Sequence, residues 1–368
     1  MAIANPFKPT AGKNPPALIG RDEVIEEFAE GVENGSGAPN RLMRISGMRG
    51  MGKTVMLNEI AACARGYGWD VVEETASAGF CDRILSALSP EQRVSKLTAS
   101  PSLLGVSLGS AELDRAALTL RTAIRRACAR EGGGLLITLD EVQDASMEEL
   151  RSLAVAVQHA IREDENVAFV FAGLPSMIES IVNGKTLTFL RRAIPVELGS
   201  VPLEEVSASL QLTMQESGLR VSDALADKMA RATKGYPFMV QLVGYYVWQL
   251  SRRVSASEAS EELVTKGIAI ARERFDVTVI EPALQRLSGT CIEYLLAMAL
   301  DGERYSETGF VAARMDATAQ KMSPVRARLI KEDVIEAAGW GRVRFAIPHM
   351  AEYLNAHRDE LEAEVAMR

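Results

Sequence analysis

The chain has 368 residues, enough for two or three domains, and 47% hydrophobic with 24% charged residues excludes wholesale disorder. A net charge of −8 excludes a protein that coats nucleic acid with its whole surface, while leaving room for a local basic patch. The four cysteines (Cys63, Cys81, Cys128 and Cys291) form no CxxC pair and have no histidine at ligand spacing, which argues for reduced thiols in a cytoplasmic protein over a disulfide framework or structural zinc.

Residues 1–17 are Pro-rich and lack the apolar core of a signal peptide; a flexible tail is expected there. Residues 18–200 alternate short apolar runs with amphipathic stretches. RLMRIS (41–46) leads into a glycine loop, Thr54–Tyr67 has helical spacing, and Trp69–Glu74 predicts a strand. LLITL (135–139) and VAFVFA (167–172) are fully apolar strands, Met147–Arg162 is a helix between them, and Ala193–Leu198 is a further strand. Such alternation predicts an α/β domain, a parallel sheet with helices on both faces. Residues 89–111, rich in Ser, Leu and Gly, interrupt the rhythm as an insertion.

After Pro202 the strands stop. Leu203–Ser217, Ser222–Thr233 and Phe238–Val254 predict helices, and 257–288 a helical connector, so 201–288 is expected to be a helical lid. Residues 289–368 change again. Cys291–Leu300, Thr308–Arg314 and Ser323–Lys331 predict three helices, the last capped by Ser323 with Pro324 in its first turn. Gly339-Trp340-Gly341 then turns into RVRFAI, the layout of a winged helix-turn-helix. No uninterrupted apolar run approaches the roughly 18 residues of a membrane span.

Residues 47–54, GMRGMGKT, match GxxxxGK[ST]. Glycines let the backbone of Gly47, Met48, Arg49, Gly50, Met51 and Gly52 curl, so that N–H groups through Val55 face phosphate oxygens. Lys53 then reaches the β and γ phosphates, and the Thr54 hydroxyl binds Mg²⁺. In LLITLDEVQ, two carboxylates follow an apolar strand at the edge where α/β sites lie. Asp140 is expected to hold Mg²⁺, and Glu141 to orient the attacking water.

With these motifs the chain resembles an AAA+ P-loop ATPase of the replication-initiator and STAND-like group. Ile19-Gly20-Arg21-Asp22, FVFAGLP (169–175), FLRRA (189–193) and GYPFMVQLVG (235–244) also carry the resemblance. It implies that Ile19, Gly20 and Arg21 pack around adenine. It puts Arg191 or Arg192 at the arginine-finger position, acting on a neighbouring subunit's ATP. Gly235-Tyr236-Pro237 resembles the GxP motif of signal-transduction ATPases, with Pro237 near nucleotide and no sensor-2 arginine on the lid. The sensor-1 strand ends without the usual Asn or Thr, Ser176 being the nearest polar residue.

The combination predicts an ATP- and Mg²⁺-dependent switch that hydrolyses ATP slowly, self-associates on ATP and couples to double-stranded DNA. Arg326, Arg328, Lys331, Arg342 and Arg344 of the winged helix would carry the DNA contact. The alternative is a signalling scaffold whose C-terminal domain binds a protein. A small-molecule kinase shares the loop, but the helical lid and the paired arginines oppose it.

Overall fold

The structure, a computed structural model, describes residues 4–10, 12–16, 18–89, 110–130, 133–184 and 187–367. The insertion expected at 89–111 lies, but for its ends, outside the described residues. The chain divides into two compact units, Gly20–Leu198 and Met1–Ile19 with Gly199–Arg368.

The first unit is a five-stranded parallel sheet between helices. Its strands are β1 (Leu42–Gly47), β2 (Asp70–Thr75), β3 (Leu135–Asp140), β4 (Val167–Gly173) and β5 (Ile194–Leu198), in the order β2-β3-β4-β1-β5. Helices α1 (Asp22–Glu33), α2 (Lys53–Gly66), α3 (Phe80–Leu88), α4 (Ser110–Cys128), α5 (Met147–Arg162) and α6 (Pro175–Asn183) accompany them. Every residue of β3 and β4 is buried, as their unbroken apolar runs require of strands covered on both faces. Edge strand β5 instead alternates buried and exposed positions along most of its length. Register aligns the strand ends: Ser46 pairs with Gly173, Gly47 with Leu198 and Thr75 with Asp140. All of these lie at the carboxyl edge of the sheet, where an open α/β fold places its ligand.

Arg41 is one of the few charged residues in this interior. Its guanidinium donates to Gly31 O at 2.7 Å and Val32 O at 2.8 Å, closing the end of α1, and also to Asn166 Oδ1. It lies 4.8 Å over the Trp69 ring, so the hydrogen-bonding edge and one face of the buried cation have partners.

The second unit begins with helices α7 (Leu203–Glu216), α8 (Asp223–Thr233), α9 (Pro237–Arg253) and α10 (Glu261–Phe275). A π-turn at Asp276–Ile280 leads to α11 (Glu281–Gln285). Then come α12 (Gly289–Ala299), β6 (Ser306–Glu307), α13 (Thr308–Arg314), α14 (Ser323–Lys331), β7 (Ile335–Ala337) and β8 (Arg342–Phe345), with α15 (Met350–Ala356) and α16 (Arg358–Met367) at the end. The short strands form an antiparallel sheet in the order β6-β8-β7. Ser323 is the first residue of α14 and not its cap: Met322 precedes the helix, and the Ser323 side chain makes no capping bond.

Part of the N-terminal segment is docked. Phe7 is 2% exposed, and a Cβ on Gly244 of α9 would come within 2.4 Å of its ring, so glycine is what admits the phenyl group. Asn5 Nδ2 donates to Tyr245 O, and the Lys8 N–H to Gln241 Oε1, both at 3.0 Å.

A polar cluster joins α8, α10 and α15. Lys234 donates to Glu352 at 2.8 Å, and Arg272 to Glu352 at 2.9 Å and to the His349 carbonyl at 3.0 Å. His349 precedes α15 in a left-handed backbone conformation, φ 66°, and its ring is buried. Its Nε2 lies 3.0 Å from Ala232 O and its Nδ1 3.2 Å from Glu352 Oε2. Burial, with Arg272 and Lys234 adding to it, pushes the imidazole down to about 4. Two acceptors favour the imidazolium, but burial and the two cations outweigh them, so the neutral ring is the resting form.

Candidate functional site

The loop between β1 and α2 has the conformation its glycines permit. Gly50 and Gly52 adopt φ of 77° and 87°, in the left-handed region where side chains are strained. Gly47 is needed for space: a Cβ there would lie 2.9 Å from Leu198 O. Met48 and Met51 are buried and anchor the loop, while Arg49 and Gly50 are exposed. Lys53, in the first turn of α2, is only 6% exposed. Its ammonium donates to Gly47 O at 2.8 Å and Met48 O at 3.1 Å. These two carbonyls fold the long side chain back along its own loop, across the N-terminal end of α2. Positive charge, helix-end N–H groups and the helix dipole there together suit an anion. Thr54 and Val55, both half-buried, follow in the same turn.

From across the sheet, β3 delivers Asp140 to the same place. The Thr54 hydroxyl donates to Asp140 Oδ2 at 2.5 Å, and the Glu141 N–H donates to Oδ1 at 2.8 Å. Burial raises the Asp140 carboxyl above its ordinary range, against the opposing pull of Thr54, the Glu141 amide and Lys53. The hydroxyl and carboxylate oxygens face one another, the hard-oxygen set a small divalent cation takes. These residues fit Mg²⁺. Among the described residues no group of three or more His, Cys, Asp or Glu side chains could hold a metal unaided, so substrate oxygens or water would complete the sphere.

Glu141 takes φ of 54°, unusual for a side-chain-bearing residue and a turn that carries the chain out of β3. Gln143, two residues on, bridges this turn to β4: its Nε2 donates to Glu141 Oε2, and its Oε1 accepts from the Leu174 N–H at 3.4 Å. Gly173 makes this approach possible, because a Cβ there would stand 2.5 Å from Val142 Cγ2. Neither Gln143 nor Gly173 stood out among the motif residues. The only local sign was an amide two positions after the carboxylate pair.

The two candidate finger residues differ. Arg191 is anchored by the last turn of α6, donating to Val182 O at 2.6 Å and to Asn183 O and Gly184 O at 3.1 Å. Arg192 beside it is exposed. Pro237 opens α9, half-buried, as a proline suits a first helical position. Gly235 two residues earlier has φ +72°, and a Cβ would meet Val201 O at 2.2 Å. Tyr236 between them is core, packed edge-on at 5.4 Å against Phe275. Much of the GYP segment is therefore accounted for by packing. Ile19 is half-buried, and Gly20 has φ of 63° just before α1.

Near the C-terminus, Arg328 and Lys331 are exposed and Arg326 half-buried on α14, with no ion pair among the described residues. Arg342 pairs with Glu307 at 3.6 Å and stacks over Tyr305 at 4.3 Å, and Arg344 pairs with Glu336 at 2.5 Å. Trp340, between Gly339 and Gly341 at the turn into β8, is fully exposed. Among the described residues, no helix is long and apolar enough to cross a membrane.

Residues 17–170 match the family model of the AAA ATPase domain, and residues 277–354 that of a domain of unknown function, DUF8462. No curated protein matches the chain. Among solved structures, the chain is similar to the ORC2 protein of Aeropyrum pernix, described in ADPNP–ADP complexes, at 17% identity and a TM-score of 0.68 over 98% of both chains. A Walker-type ATPase of Pyrococcus abyssi matches at 16% identity and TM-score 0.62, over 92% of this chain and 96% of its own. Cdc6p of Pyrobaculum aerophilum matches at 12% and 0.53 over 97% of each. At these identities the likeness is one of fold, and it extends over nearly the whole chain, including the C-terminal helical region.

Proposed function

We propose that this chain, whose residues 17–170 match the AAA ATPase domain model, is an ATP-driven switch that turns over slowly and signals through a C-terminal winged helix to DNA. The observation that carries the reading is the convergence of Lys53, Thr54, Asp140 and Glu141 at one edge of one sheet. A loop that only bound phosphate would not need a second carboxylate beside the first. In this reading the loop N–H groups and Lys53 bind the β and γ phosphates, and Thr54 and Asp140 hold Mg²⁺, which screens phosphate charge when bound. Glu141 accepts a hydrogen bond from the attacking water and directs its lone pair at phosphorus. Ile19, Gly20, Arg21 and Pro237 are assigned to the nucleoside side of the site by resemblance.

Arg192 is the better finger, because Arg191 would have to give up three carbonyl partners to reach a second subunit. ATP turnover tests the reading: Lys53→Ala should lose nucleotide binding, and Glu141→Gln should bind ATP but hydrolyse it only at a slow residual rate, roughly 10²–10⁴-fold down. Wild type that neither binds nor hydrolyses ATP would sink it. Sizing with ADP and with a non-hydrolysable ATP analogue tests self-association, which Arg192→Ala should abolish.

Cations on α14, Arg328 and Lys331 exposed and without an ion pair among the described residues, support the DNA arm. A scaffold that binds a protein is supported by a different observation: the β8 arginines are already paired with carboxylates, and a bare indole crowns the turn beside them. A salt titration of duplex binding separates the two. Phosphate contacts predict affinity falling steeply with salt, and no binding at low salt favours the scaffold.

A further inference from the structure

We infer that Gln143 is a positioning residue for Glu141, holding the carboxylate in place through a hydrogen-bonded relay from the end of β4; this rests on the hydrolytic reading above. The geometry has three parts. Gln143 Nε2 donates to Glu141 Oε2, leaving the other carboxylate oxygen for water. Gln143 Oε1 accepts from the Leu174 N–H, the first backbone group beyond β4. Val142 between them is 2% exposed and fills the space left by Gly173, so the turn is pinned on its apolar side as well.

The orientation of the amide is chemically determined. The Leu174 N–H can only donate and the Glu141 carboxylate can only accept, so the oxygen faces the backbone and the NH₂ faces the base. A base held by a second group that is itself held by the scaffold has the logic of an oriented catalytic pair. The relay has a further implication. Glu141 sits on a strained turn of φ 54°, and without the amide its side chain regains the rotamers that this hydrogen bond excludes. Leu174 also immediately precedes α6, so a shift of α6 would be felt at the base through one side chain.

The test uses the full chain with ATP and Mg²⁺, and two near-isosteric variants, Gln143→Met and Gln143→Glu, neither of which donates to Glu141 at neutral pH. Expected is a fall in kcat of roughly 10- to 100-fold, part of the ~10²–10⁴-fold that a positioned base supplies. KM and ADP affinity should stay within about twofold, because uniform binding is untouched. In a Glu141→Gln background, single-turnover rates should show no further loss from Gln143→Met, since the residue has no base left to orient. Turnover near wild type in either folded variant would overturn the inference while leaving hydrolysis intact. An equal loss in the Glu141→Gln background, or a matching loss of ADP affinity, would overturn it too, by showing a merely structural role. Wild type without turnover would remove the hydrolytic reading and this one together.

Discussion

Gly173→Ala probes the link between sheet packing and the proposed base, Glu141. The new methyl would meet Val142 Cγ2 at 2.5 Å and Gln143 Oε1 at 3.3 Å. Carbon atoms in contact rest about 3.5–4.0 Å apart, so about 1 Å of overlap must be relieved. β4 is buried along all seven residues and is held by β3 on one side and β1 on the other, so it cannot retreat. The yield falls on the turn at 142–144, which carries Gln143. Overpacking of this kind costs about 1–3 kcal/mol. In a unit of this size each kcal/mol moves Tm by about 2–4 °C, giving a drop of roughly 2–12 °C. Thermal unfolding by circular dichroism measures the first effect, and ATP turnover with fluorescent-nucleotide binding the second. The expected signature is a lowered Tm and lowered kcat with nucleotide affinity retained. A variant whose Tm lies within about 1 °C of wild type, with normal turnover, would refute the reasoning that β4 is immovable there.

Two further outcomes follow from the second unit. Gly235→Ala places a Cβ 2.2 Å from the Val201 carbonyl at φ +72°, so strain and overlap act together and a loss of about 2–4 kcal/mol is expected. Hydrogen exchange should localise it to α7 and α8 and spare β3; protection unchanged in α8 would contradict the packing account of the GYP segment. His349 should make that unit acid-sensitive. Its folded value, about 4, lies below the ordinary 6.5, so the unfolded chain binds the proton more readily as pH falls through that window. Stability is therefore full above about 6.5, declines towards about 4 and levels off below, by at most ~3 kcal/mol. Glu352, drawn down to about 2 by Lys234 and His349 against the effect of its own burial, stays anionic throughout. Urea midpoints at pH 7 and pH 4.5 measure the drop, and His349→Gln should reduce it; an equal drop in that variant would assign the acid sensitivity elsewhere.

Much of the first unit was legible in its residues, for local reasons. Unbroken apolar runs located β3 and β4, the helical periodicity of 147–162 coincides with α5, and glycine spacing marked the phosphate loop. What was not legible is spatial. No pattern along the chain says that β4 separates β3 from β1, which is what brings Leu174 within reach of Gln143. Arg191 and Arg192 are equivalent in sequence, and only the carbonyls at the end of α6 distinguish them. Strand β6 has two residues, too few for alternation to register, and it exists because β8 lies alongside. Gln143 carried no signal of its own, because an amide after a DE pair is ordinary turn chemistry until its partners are known.

The docking of Phe7 into the glycine notch of α9 bears on how the molecule is handled. Similarity to the AAA domain begins at residue 17, an inviting place to start a shortened version. Such a version would keep the loop, both carboxylates and every strand of the sheet. It would also strip the phenyl plug from Gly244 and the Asn5 and Lys8 hydrogen bonds from α9, exposing an apolar hollow more than two hundred residues away along the chain. Poor solubility of that version would then report a missing plug on α9 and say nothing about the loop at 47–54.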